Sequence, residues 1–437
     1  MSAARVVDDL PGDKSISHRA LLCALLADGP SRVRALNAGA DVAHTLRAIA
    51  ALGARVAHED DVVEITPGPR VVAPTDAVDC GNAGTLARLA MGLLAGQGVV
   101  ARLVGDPSLS SRPMLRVARP LARLFGVDVV ALEGGARLPA ILLGARPRDD
   151  AQERVVDTEI QSAQVKSAVL FAALARRGRT IVTEPAPTRA HTERLFAHLG
   201  LPVTTDGAGR VVVDEGARRP RAFALSIPRD PSALAFRLAY AIGVGAPLHV
   251  DDVLVSPRRT GALSVLARAG ADISIEETGG VRADGFEASP DEVGRVVVGA
   301  RDLNAPISTT SADAADLIDE VPALVVLAAT RAGRHVFDGI DELRVKESDR
   351  VALLARGLAA FGVEARSDGS ALVVEGRARP VSLADVRIET AGDHRIAMAF
   401  HTLGLIWGRR VLLDDAGCVD VSEPGFFEKM ARLARAA

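Results

Sequence analysis

Aromatic residues, cysteines and long uncharged runs are all scarce in this 437-residue chain. Only 3% of the residues are Phe, Trp or Tyr, which is fewer rings than a base-stacking surface for nucleic acid needs. The three cysteines, Cys23, Cys80 and Cys418, show no C-x-x-C spacing, so we expect buried thiols rather than a zinc site or a disulfide framework. No uncharged run reaches the ~20 residues of a membrane span, and the first ten residues lack the apolar segment of a signal peptide. These absences predict a cytoplasmic protein with no membrane segment and no metal.

Neither sign of charge is in excess. The chain has 52 Lys and Arg against 55 Asp and Glu, for a formal net charge of −3. This balance argues against binding of nucleic acid or a membrane over the whole surface, so any anion site must come from local clusters of cations. The length favours two large domains over a single core.

Two helical patterns alternate along the chain. An amphipathic helix followed by glycine and a short β-like run ends at Gly53, Gly126, Gly200, Gly270 and Gly362. A more apolar helix ends near Gly29, Gly96, Gly178, Gly243, Gly333 and Gly408. We expect the apolar helices to be buried and the amphipathic ones to face solvent on one side, with glycine in the left-handed C-terminal cap. Together with β-rich runs between them, they indicate six repeated units, the last one truncated, in two domains of three.

Residues 11–19 read P-G-D-K-S-I-S-H-R and precede a helix expected at 20–26. Lys14, Ser15 and Arg19 then surround a helix N-terminus, where free N–H groups and the helix dipole favour an anion. The segment lacks the G-x-x-x-x-G-K-[ST] pattern of a Walker loop. An ordinary surface turn with two cations is the alternative.

Three more loops of the first half place polar groups at predicted helix starts. They are D-C-G-N-A-G-T-L-A-R at 79–88, G-D-P-S-L-S-S-R-P at 105–113 and S-A-Q-V-K-S at 162–167. Gly81 and Gly84 allow a ligand to approach the backbone closely. Because all of these loops fall at matching points of repeated units, we expect them to share one face.

The second half adds E-L-R-V-K-E-S-D-R at 342–350 and G-D-H-R-I-A-M at 392–398. The first could also be an ordinary salt-bridged helix start. Arg395 is followed at once by apolar residues, which predicts a position at a pocket edge. Asp319 adjoins a buried helix, where a carboxylate is usually paired or functional. His191 and His394 are interpreted as structural rather than as metal ligands.

Taken together, these motifs resemble the 3-phosphoshikimate 1-carboxyvinyltransferase (EPSP synthase) family, in the bacterial subgroup with S-A-Q. The resemblance extends in the right order from residue 11 to about residue 430. It implies an α/β fold of two domains, each with three β-α-β-α-β-β units around buried parallel helices, that close over the substrates. Because the family's chain crosses between domains twice, we expect one domain of 1–12 plus 233–437 and another of 13–232.

The resemblance also implies a reaction. The family moves the enolpyruvyl group of phosphoenolpyruvate to the 5-hydroxyl of shikimate 3-phosphate and releases phosphate, on the shikimate pathway to chorismate and aromatic amino acids. This chemistry requires a base, an acid and fixed positive charges. We therefore expect a transferase with small-molecule substrates, no cofactor and no metal. We also expect a monomer, and the composition predicts no nucleic-acid or membrane partner.

Site residues follow from the same resemblance. The contacts implied for shikimate 3-phosphate are Lys14, Ser15, Arg19, Ser162, Ala163, Gln164, Thr188, Arg189, Asp319 and Lys346. The contacts implied for phosphoenolpyruvate are Lys14, Asn82, Gly84, Arg112, Gln164, Arg350 and Arg395. The implied catalytic residues are Asp319 as proton acceptor from the hydroxyl, Glu347 as proton donor to carbon 3, and Lys14.

The chain departs from the family pattern in two places. Val421 stands where many members have Lys, and Glu423 stands where Phe is usual. The hinge pattern G-D-x-S-S-A-A-F is replaced by R-D-P-S-A-L-A-F at 229–236.

These departures leave room for an enolpyruvyl transferase with another acceptor, such as a nucleotide. Relatives that use UDP-sugars differ around residue 14 and carry a loop cysteine, and Cys80 is not in a comparable context. A non-catalytic anion-binding protein on this fold is a further alternative, against which Asp319, Glu347, Lys14 and Lys346 argue.

Overall fold

The computed structural model describes residues 5–7, 9–144, 152–216, 218–279, 284–300 and 302–435. The chain forms two compact units. The unit that contains both chain ends, here called the terminal unit, comprises Met1–Pro11, Pro228–Gly279 and Glu292–Ala437. The other, here called the central unit, comprises Gly12–Ile227 and Gly280–Asp291.

The two units are built from helices and short strands in alternation. The α-helices are α1 Lys14–Leu26, α2 Ala40–Ala51, α3 Gly84–Gln97, α4 Pro107–Ser111, α5 Leu115–Phe125, α6 Ala163–Ala173, α7 His191–His198, α8 Pro231–Val244, α9 Gly261–Arg268, α10 Ser311–Leu317, α11 Val321–Ala329, α12 Arg350–Ala360, α13 His394–Trp407 and α14 Phe426–Arg435. Short 3₁₀ helices lie at Asp341–Val345 and Gly417–Val421. The strands are β1 Arg5–Val6, β2 Ser31–Arg34, β3 Arg55–Glu59, β4 Val62–Thr66, β5 Val78–Asp79, β6 Val100–Val104, β7 Val130–Leu132, β8 Ala140–Leu143, β9 Arg154–Asp157, β10 Thr180–Thr183, β11 Val203–Thr205, β12 Val211–Val213, β13 Ala224–Ser226, β14 Leu248–Leu254, β15 Ile273–Glu277, β16 Val293–Val298, β17 Gly333–Phe337, β18 Glu364–Asp368, β19 Ala371–Gly376, β20 Val386–Ile388 and β21 Val411–Leu413.

The described residues of the central unit form three four-stranded sheets of one design, β13-β2-β4-β3, β5-β6-β8-β7 and β9-β10-β12-β11. In each sheet the first two strands are parallel and the others are antiparallel. The third sheet follows the chain order β9-α6-β10-α7-β11-β12, which is the predicted β-α-β-α-β-β unit. A parallel pair needs a helical crossover between its strands, whereas an antiparallel pair needs only a short turn.

The sheets of the terminal unit follow the same design but have fewer strands toward the C-terminal end. Its first sheet, β1-β14-β16-β15, has four strands. The second, β17-β19-β18, has three, and an isolated parallel bridge joins Thr309 to Phe337. The third is the parallel pair β20-β21, and α14 follows it without another strand as far as residue 435. The α/β fold of repeated units is therefore confirmed, and the last unit is truncated.

Within the described ranges, six helices form the centres of the two units. They are α1, α3 and α6 in the central unit and α8, α11 and α13 in the terminal unit, and nearly all of their residues are buried. All nine residues of α11 are buried, as the sequence pattern predicts for the apolar helices. Burial of each large aliphatic side chain contributes about 1.5–3 kcal/mol.

The glycine predictions separate into two groups. Gly53, Gly126, Gly200, Gly270 and Gly362, after the amphipathic helices, all have positive φ, as a left-handed cap requires. Of the glycines assigned to apolar-helix ends, only Gly408 is a left-handed cap. The helices do end near Gly96 and Gly243, as predicted, but their left-handed caps are Gly98 and Gly245, and Gly96 and Gly243 lie inside the last turns.

The reason for Gly96 is helix packing. A Cβ on Gly92 or Gly96 would lie 1.9 Å from the carbonyl oxygen of Ala168 or 2.9 Å from that of Ala172. These glycines therefore let α3 pack closely against α6.

The predicted domain boundaries differ from the observed units. The boundary expected between residues 232 and 233 lies inside α8, and the units change at Ile227/Pro228. Residues 280–291, which we expected in the domain 233–437, belong to the central unit. This excursion follows strand pairing, since Leu225 of β13 forms a bridge with Glu287. Parts of the predicted segments, including residues 1–4 and 8, lie outside the described residues.

Candidate active site

The helix N-terminus predicted after P-G-D-K-S begins earlier than expected. α1 starts at Lys14 rather than at residue 20, and its cap is Asp13, whose Oδ1 accepts the Ile16 N–H at 2.8 Å. Ser17 donates its hydroxyl to the Asp13 carbonyl at 2.8 Å. Lys14 and Ser15 therefore lie in the first helical turn, where N–H groups are not used within the helix.

Arg19 is held on the buried side of this turn by neutral oxygens. Its side chain donates to Thr192 Oγ1 at 2.7 Å, to Ser167 Oγ at 2.8 Å and to the Ser15 carbonyl at 2.9 Å. Burial lowers the pKa of Arg19, while Glu193 and Asp13 oppose that effect, and an arginine remains charged at any physiological pH. The result is a fixed cation whose direction is set without a bonded carboxylate.

Lys14 is oriented by a carboxylate, since its Nζ lies 2.8 Å from Asp41 Oδ2 on α2. The spacing between these two residues gave no sign of the pair. Asp41 thus joins the site as a residue that the sequence did not single out.

The S-A-Q segment places its groups at the start of α6. Ser162 is the N-cap and Ala163 is the first helical residue. Gln164 donates to Thr85 Oγ1 at 2.9 Å and accepts from Arg88 Nη1. The amide is therefore fixed in orientation between α3 and α6, and Arg88 is a further cation that we did not predict at the site.

Arg112 is brought to the start of α3. It follows the short helix α4 and donates to Asn82 Oδ1 and, at 3.2 Å, to Ser108 Oγ. Asn82 is itself held by Asp106 Oδ2 at 2.8 Å. A Cβ on Gly84 would lie 3.1 Å from Arg112 Nη1, so the predicted phosphoenolpyruvate residues Asn82, Gly84 and Arg112 do form one cluster.

Lys166 is buried in an ion-pair cluster. Its Nζ lies 2.7 Å from both Glu184 and Glu193, and its side chain is 3% exposed. Glu184 also accepts from the Thr188 hydroxyl. The pair orients the loop that carries Thr188, and the neighbouring Arg189 lies close enough to Arg19 to oppose its charge.

The terminal unit contains a second cluster, centred on Arg350 at the start of α12. Asp393, the N-cap of α13, accepts from Arg350 Nε at 2.8 Å and from Nη2 at 3.2 Å. The same carboxylate accepts from Ser348 Oγ at 2.8 Å and from the Arg395 N–H at 2.9 Å. Burial by itself would lower the pKa of Arg350, but Asp393 and Glu347 more than offset it and raise the pKa.

The two predicted acid–base residues flank this arginine. Glu347 Oε2 lies 2.6 Å from Arg350 Nη2, and Asp319 Oδ1 lies 3.9 Å from Nη1. Lys346 Nζ is 3.4 Å from Asp319 Oδ1, and Arg395 Nη1 donates to the Asp319 carbonyl at 2.7 Å. Both carboxylates are partly exposed, so a substrate can reach them. Among the described residues, Arg350 Nη1 has no hydrogen-bond partner, which leaves a fixed donor beside both carboxylates.

The departure at Glu423 has a structural explanation. Its side chain is 1% exposed and forms a bidentate pair with Arg237 of α8, with 2.8 Å between Arg237 Nη1 and Glu423 Oε2. The Arg237 guanidinium lies over the Phe426 ring at 5.1 Å. A buried ion pair therefore attaches the segment before α14 to α8. Val421, at the end of the 3₁₀ helix Gly417–Val421, brings no cation to this region.

The structure accounts for part of the change in the hinge pattern at residues 229–236. The Arg229 guanidinium donates to the Val7 carbonyl at 3.2 Å, and Asp230 caps α8 by accepting the Ser232 N–H at 2.8 Å. Pro231 occupies the first turn of the helix, where no N–H is needed.

His191 pairs with Asp291 at 3.0 Å, as expected of a structural histidine. No cluster of three or more His, Cys, Asp or Glu that could hold a metal is found in the part of the chain that was described. In the same ranges, no helix is long and apolar enough to cross a membrane. Cys23, Cys80 and Cys418 are buried and unpaired with one another.

Comparison with known proteins finds relatives that match nearly the whole chain. The model of the family "EPSP synthase (3-phosphoshikimate 1-carboxyvinyltransferase)" matches residues 4–430. A 3-phosphoshikimate 1-carboxyvinyltransferase of Anaeromyxobacter sp. is 42% identical over 423 residues, covering 96% of this chain and 94% of the relative. The enzyme of that name from Brucella abortus is 41% identical over 430 residues, with 97% and 93% covered.

Solved structures agree as well. EPSP synthase from Acinetobacter baumannii superposes with a TM-score of 0.80 at 32% identity, covering 98% of this chain and 95% of the other. None of these relatives is named for a nucleotide or UDP-sugar acceptor, so the alternative acceptors are not supported. From the shared fold and a match over nearly the whole length, we conclude that this chain belongs to the EPSP synthase (3-phosphoshikimate 1-carboxyvinyltransferase) family.

Proposed function

We propose that this chain transfers the enolpyruvyl group of phosphoenolpyruvate to the 5-hydroxyl of shikimate 3-phosphate and releases inorganic phosphate. The observation that carries the proposal is the Arg350 cluster, in which one buried guanidinium is fixed by Asp393 and has Glu347 and Asp319 on either side. An anionic substrate would meet a fixed cation there, with an acid and a base next to it.

In the terminal unit, Glu347 donates a proton to carbon 3 of phosphoenolpyruvate and Asp319 accepts the proton of the attacking hydroxyl. The C–O bond to carbon 2 forms a tetrahedral intermediate. That intermediate then loses a proton from carbon 3 and expels phosphate, which regenerates the double bond. Arg350 and Arg395 bind the carboxylate and phosphate groups, for which the guanidinium fork is suited, and Lys346 lies beside the reacting hydroxyl.

In the central unit, shikimate 3-phosphate binds at the N-termini of α1 and α6. Its contacts there are Lys14, Ser15, Arg19, Ser162, Ala163, Gln164, Thr188 and Arg189. The phosphoenolpyruvate contacts of this unit are Lys14, Asn82, Gly84, Arg112 and Gln164. What supports these assignments is the geometry around two arginines. Arg19 is held by two hydroxyls and a backbone carbonyl, so its charge is directed without a bonded carboxylate. Arg112 donates to Asn82 and Ser108 at the start of α3.

The deciding experiment follows phosphate release when the purified chain is given both substrates. We expect release that depends on shikimate 3-phosphate and stops when either substrate is omitted. Parallel reactions with a UDP-sugar or a nucleoside monophosphate as acceptor should release none. A folded protein that binds both substrates but releases no phosphate would contradict the proposal.

We further propose that the chain works as a monomer in the cytoplasm. Every residue proposed to contact substrate or move a proton belongs to the same chain, so the proposed reaction does not require a second copy. Sedimentation at micromolar concentration should give a mass near 45.5 kDa. A stable dimer, or recovery of the native protein with membranes, would overturn this part.

A further inference from the structure

A buried charged cluster adjoins the proposed base. Arg259 Nη2 lies 3.0 Å from Asp230 Oδ1, and Nη1 lies 3.4 Å from Glu320 Oε1. The Ser232 hydroxyl donates to Glu320 and accepts from Arg259 at 3.3 Å. All four residues are at most 6% exposed, and all belong to the terminal unit.

One member of the cluster, Glu320, is the sequence neighbour of Asp319. Glu320 is the N-cap residue of α11 and directly follows Asp319. The Asp319 carbonyl is bound by Arg395 at 2.7 Å, so the Asp319–Glu320 turn is fixed on one side by Arg395 and on the other by Arg259. The Asp319 carboxylate is left to face Lys346 and Arg350.

Burying these charges costs desolvation free energy. Two carboxylates share one guanidinium, and Glu320 Oε2 has no hydrogen-bond partner among the described residues. Apolar residues of similar volume would often be equally stable in such a place. The ion pair of Arg258 and Asp316 differs from this buried cluster. Its atoms are 3.1 Å apart, and its side chains are 34% and 31% exposed.

We propose that Glu320 and Arg259 are positioning residues for the proposed reaction. Together with Asp230 and Ser232 they set the direction of the Asp319 carboxylate, and their charges set the proton affinity of Asp319. The inference rests on the proposed function, because it assumes that Asp319 is the base. It adds residues that do not touch substrate but determine how well the base works.

The charges around Asp319 predict shifts of opposite sign. The charged groups near it are Lys346, Arg350, Arg395, Glu347, Asp393, Glu320, Arg259 and Asp230. Glu320→Gln removes a negative charge, so the proton leaves Asp319 more easily and the acid limb of the kcat–pH profile should move to lower pH. Arg259→Met removes a positive charge, and the same limb should move to higher pH. For the loss of one neighbouring charge we expect the acid limb to shift by about 0.5–1 pH unit.

The experiment measures kcat, both KM values and the pH profile for Glu320→Gln, Arg259→Met and Arg259→Lys, with Asp316→Asn as the matched control. Glu320→Gln and Arg259→Met should lower kcat by about 10–100-fold with both KM values within about 3-fold, because a misdirected base slows the chemical step more than it weakens binding. Arg259→Lys keeps the charge and should recover most of the rate without a shift of the profile. Asp316→Asn should stay within about 2-fold of the native rate.

Should Arg259→Met fail to fold, Ser232→Ala serves in its place. This variant removes a neutral contact of Glu320, so kcat should fall by about 3–10-fold with no shift of the pH profile. The inference is overturned if Glu320→Gln and Arg259→Met shift the pH profile in the same direction. It is also overturned if their losses of kcat are no larger than that of Asp316→Asn. An inactive native protein in the same assay overturns the proposed function and this inference with it, whereas an active native protein with unaffected variants overturns the inference alone.

Discussion

The two units hold their functional cations in different ways. In the central unit, Arg19, Arg88 and Arg112 donate to hydroxyl, amide or carbonyl oxygens. In the terminal unit, Arg350 and Lys346 contact the carboxylates of Asp393, Glu347 and Asp319. Each unit also shows the other kind of contact, since Lys14 contacts the Asp41 carboxylate in the central unit and Arg395 donates to the Asp319 carbonyl in the terminal unit.

This difference corresponds to two kinds of work. A neutral partner orients a guanidinium and leaves its charge available to a bound phosphate or carboxylate. A carboxylate partner offsets part of the charge, but the cation then stabilises the ionised form of an acid or base beside it. The central unit is therefore suited to binding anions, and the terminal unit is suited to moving protons.

The largest expected effect tests the proton-moving role of the terminal unit. Asp319→Ala should lower kcat by about 10²–10⁴-fold, because a positioned general base contributes a factor of that order. The fold should be retained, since Asp319 is partly exposed. Steady-state phosphate release and a thermal unfolding curve measure the two expectations, and near-native turnover would remove Asp319 from the role of base.

The next prediction compares the two carboxylates that orient cations. Asp393→Asn should cost about 3 kcal/mol of stability, because the buried Arg350 loses the carboxylate that holds its Nε and keeps only Glu347 as a close charged partner. Asp41→Asn should cost only about 1 kcal/mol, since the Lys14 side chain is 17% exposed and can turn to water. Urea unfolding of both variants measures the difference. Equal losses would show that the two units do not differ in this respect.

Lowering the pH should destabilise both units through a buried histidine. The difference between the units therefore concerns their functional cations and not their stability to acid. Burial lowers the pKa of His18 in the central unit to about 3 and that of His401 in the terminal unit to about 4. The unfolded chain takes up these protons near the ordinary histidine pKa of about 6.5, before the folded chain does, so stability is full above that pH and falls below it. Each histidine should remove about 1.4 kcal/mol per pH unit from about pH 6 downward, as far as its folded pKa.

Urea unfolding at pH 7 and pH 5 tests this pH dependence. Between these values His18 should account for a loss of about 2 kcal/mol, and His18→Gln should show a correspondingly smaller loss. The same change at His58, an exposed histidine, is the control and should leave the loss as it is in the native chain. An unchanged slope in His18→Gln would mean that His18 is not kept neutral by the fold.

The smallest effect concerns a neutral partner of the central unit. Ser167→Ala removes one of three hydrogen bonds to Arg19 and should raise KM for shikimate 3-phosphate by about 3–10-fold, which is the factor that about 1 kcal/mol gives. KM for phosphoenolpyruvate and kcat should change little. A rise in both KM values would indicate general disorder of the site rather than loss of orientation at Arg19.

The sequence predicted the repeat well because the repeat is local. Helix periodicity and a following glycine lie within a dozen residues of each other, and five of the amphipathic helices are followed by glycines with positive φ. The same rule failed at Gly96 and Gly243. At Gly96 the backbone of Ala172 leaves little room for a side chain, and Gly243 faces the side chain of Ile406. Neither neighbour can be inferred from the local pattern.

The site was predicted only as far as its motifs extend. Asp393 stood inside the motif G-D-H-R without a role, although its carboxylate organises Ser348, Arg350 and the start of α13. Glu423 looked like the loss of a family residue. It proved to be the partner of Arg237, 186 positions away in the chain.

What the sequence by itself determined is the repeated unit, the buried helices and the residue types available at each helix start, because periodicity, caps and motifs are properties of neighbouring residues. Only the tertiary structure decided which partner each cation has. Whether Arg350 meets Asp393, or Arg259 meets Glu320, depends on how separate helices pack. A guanidinium keeps or shares its charge according to those distances, and no spacing along the chain specifies them.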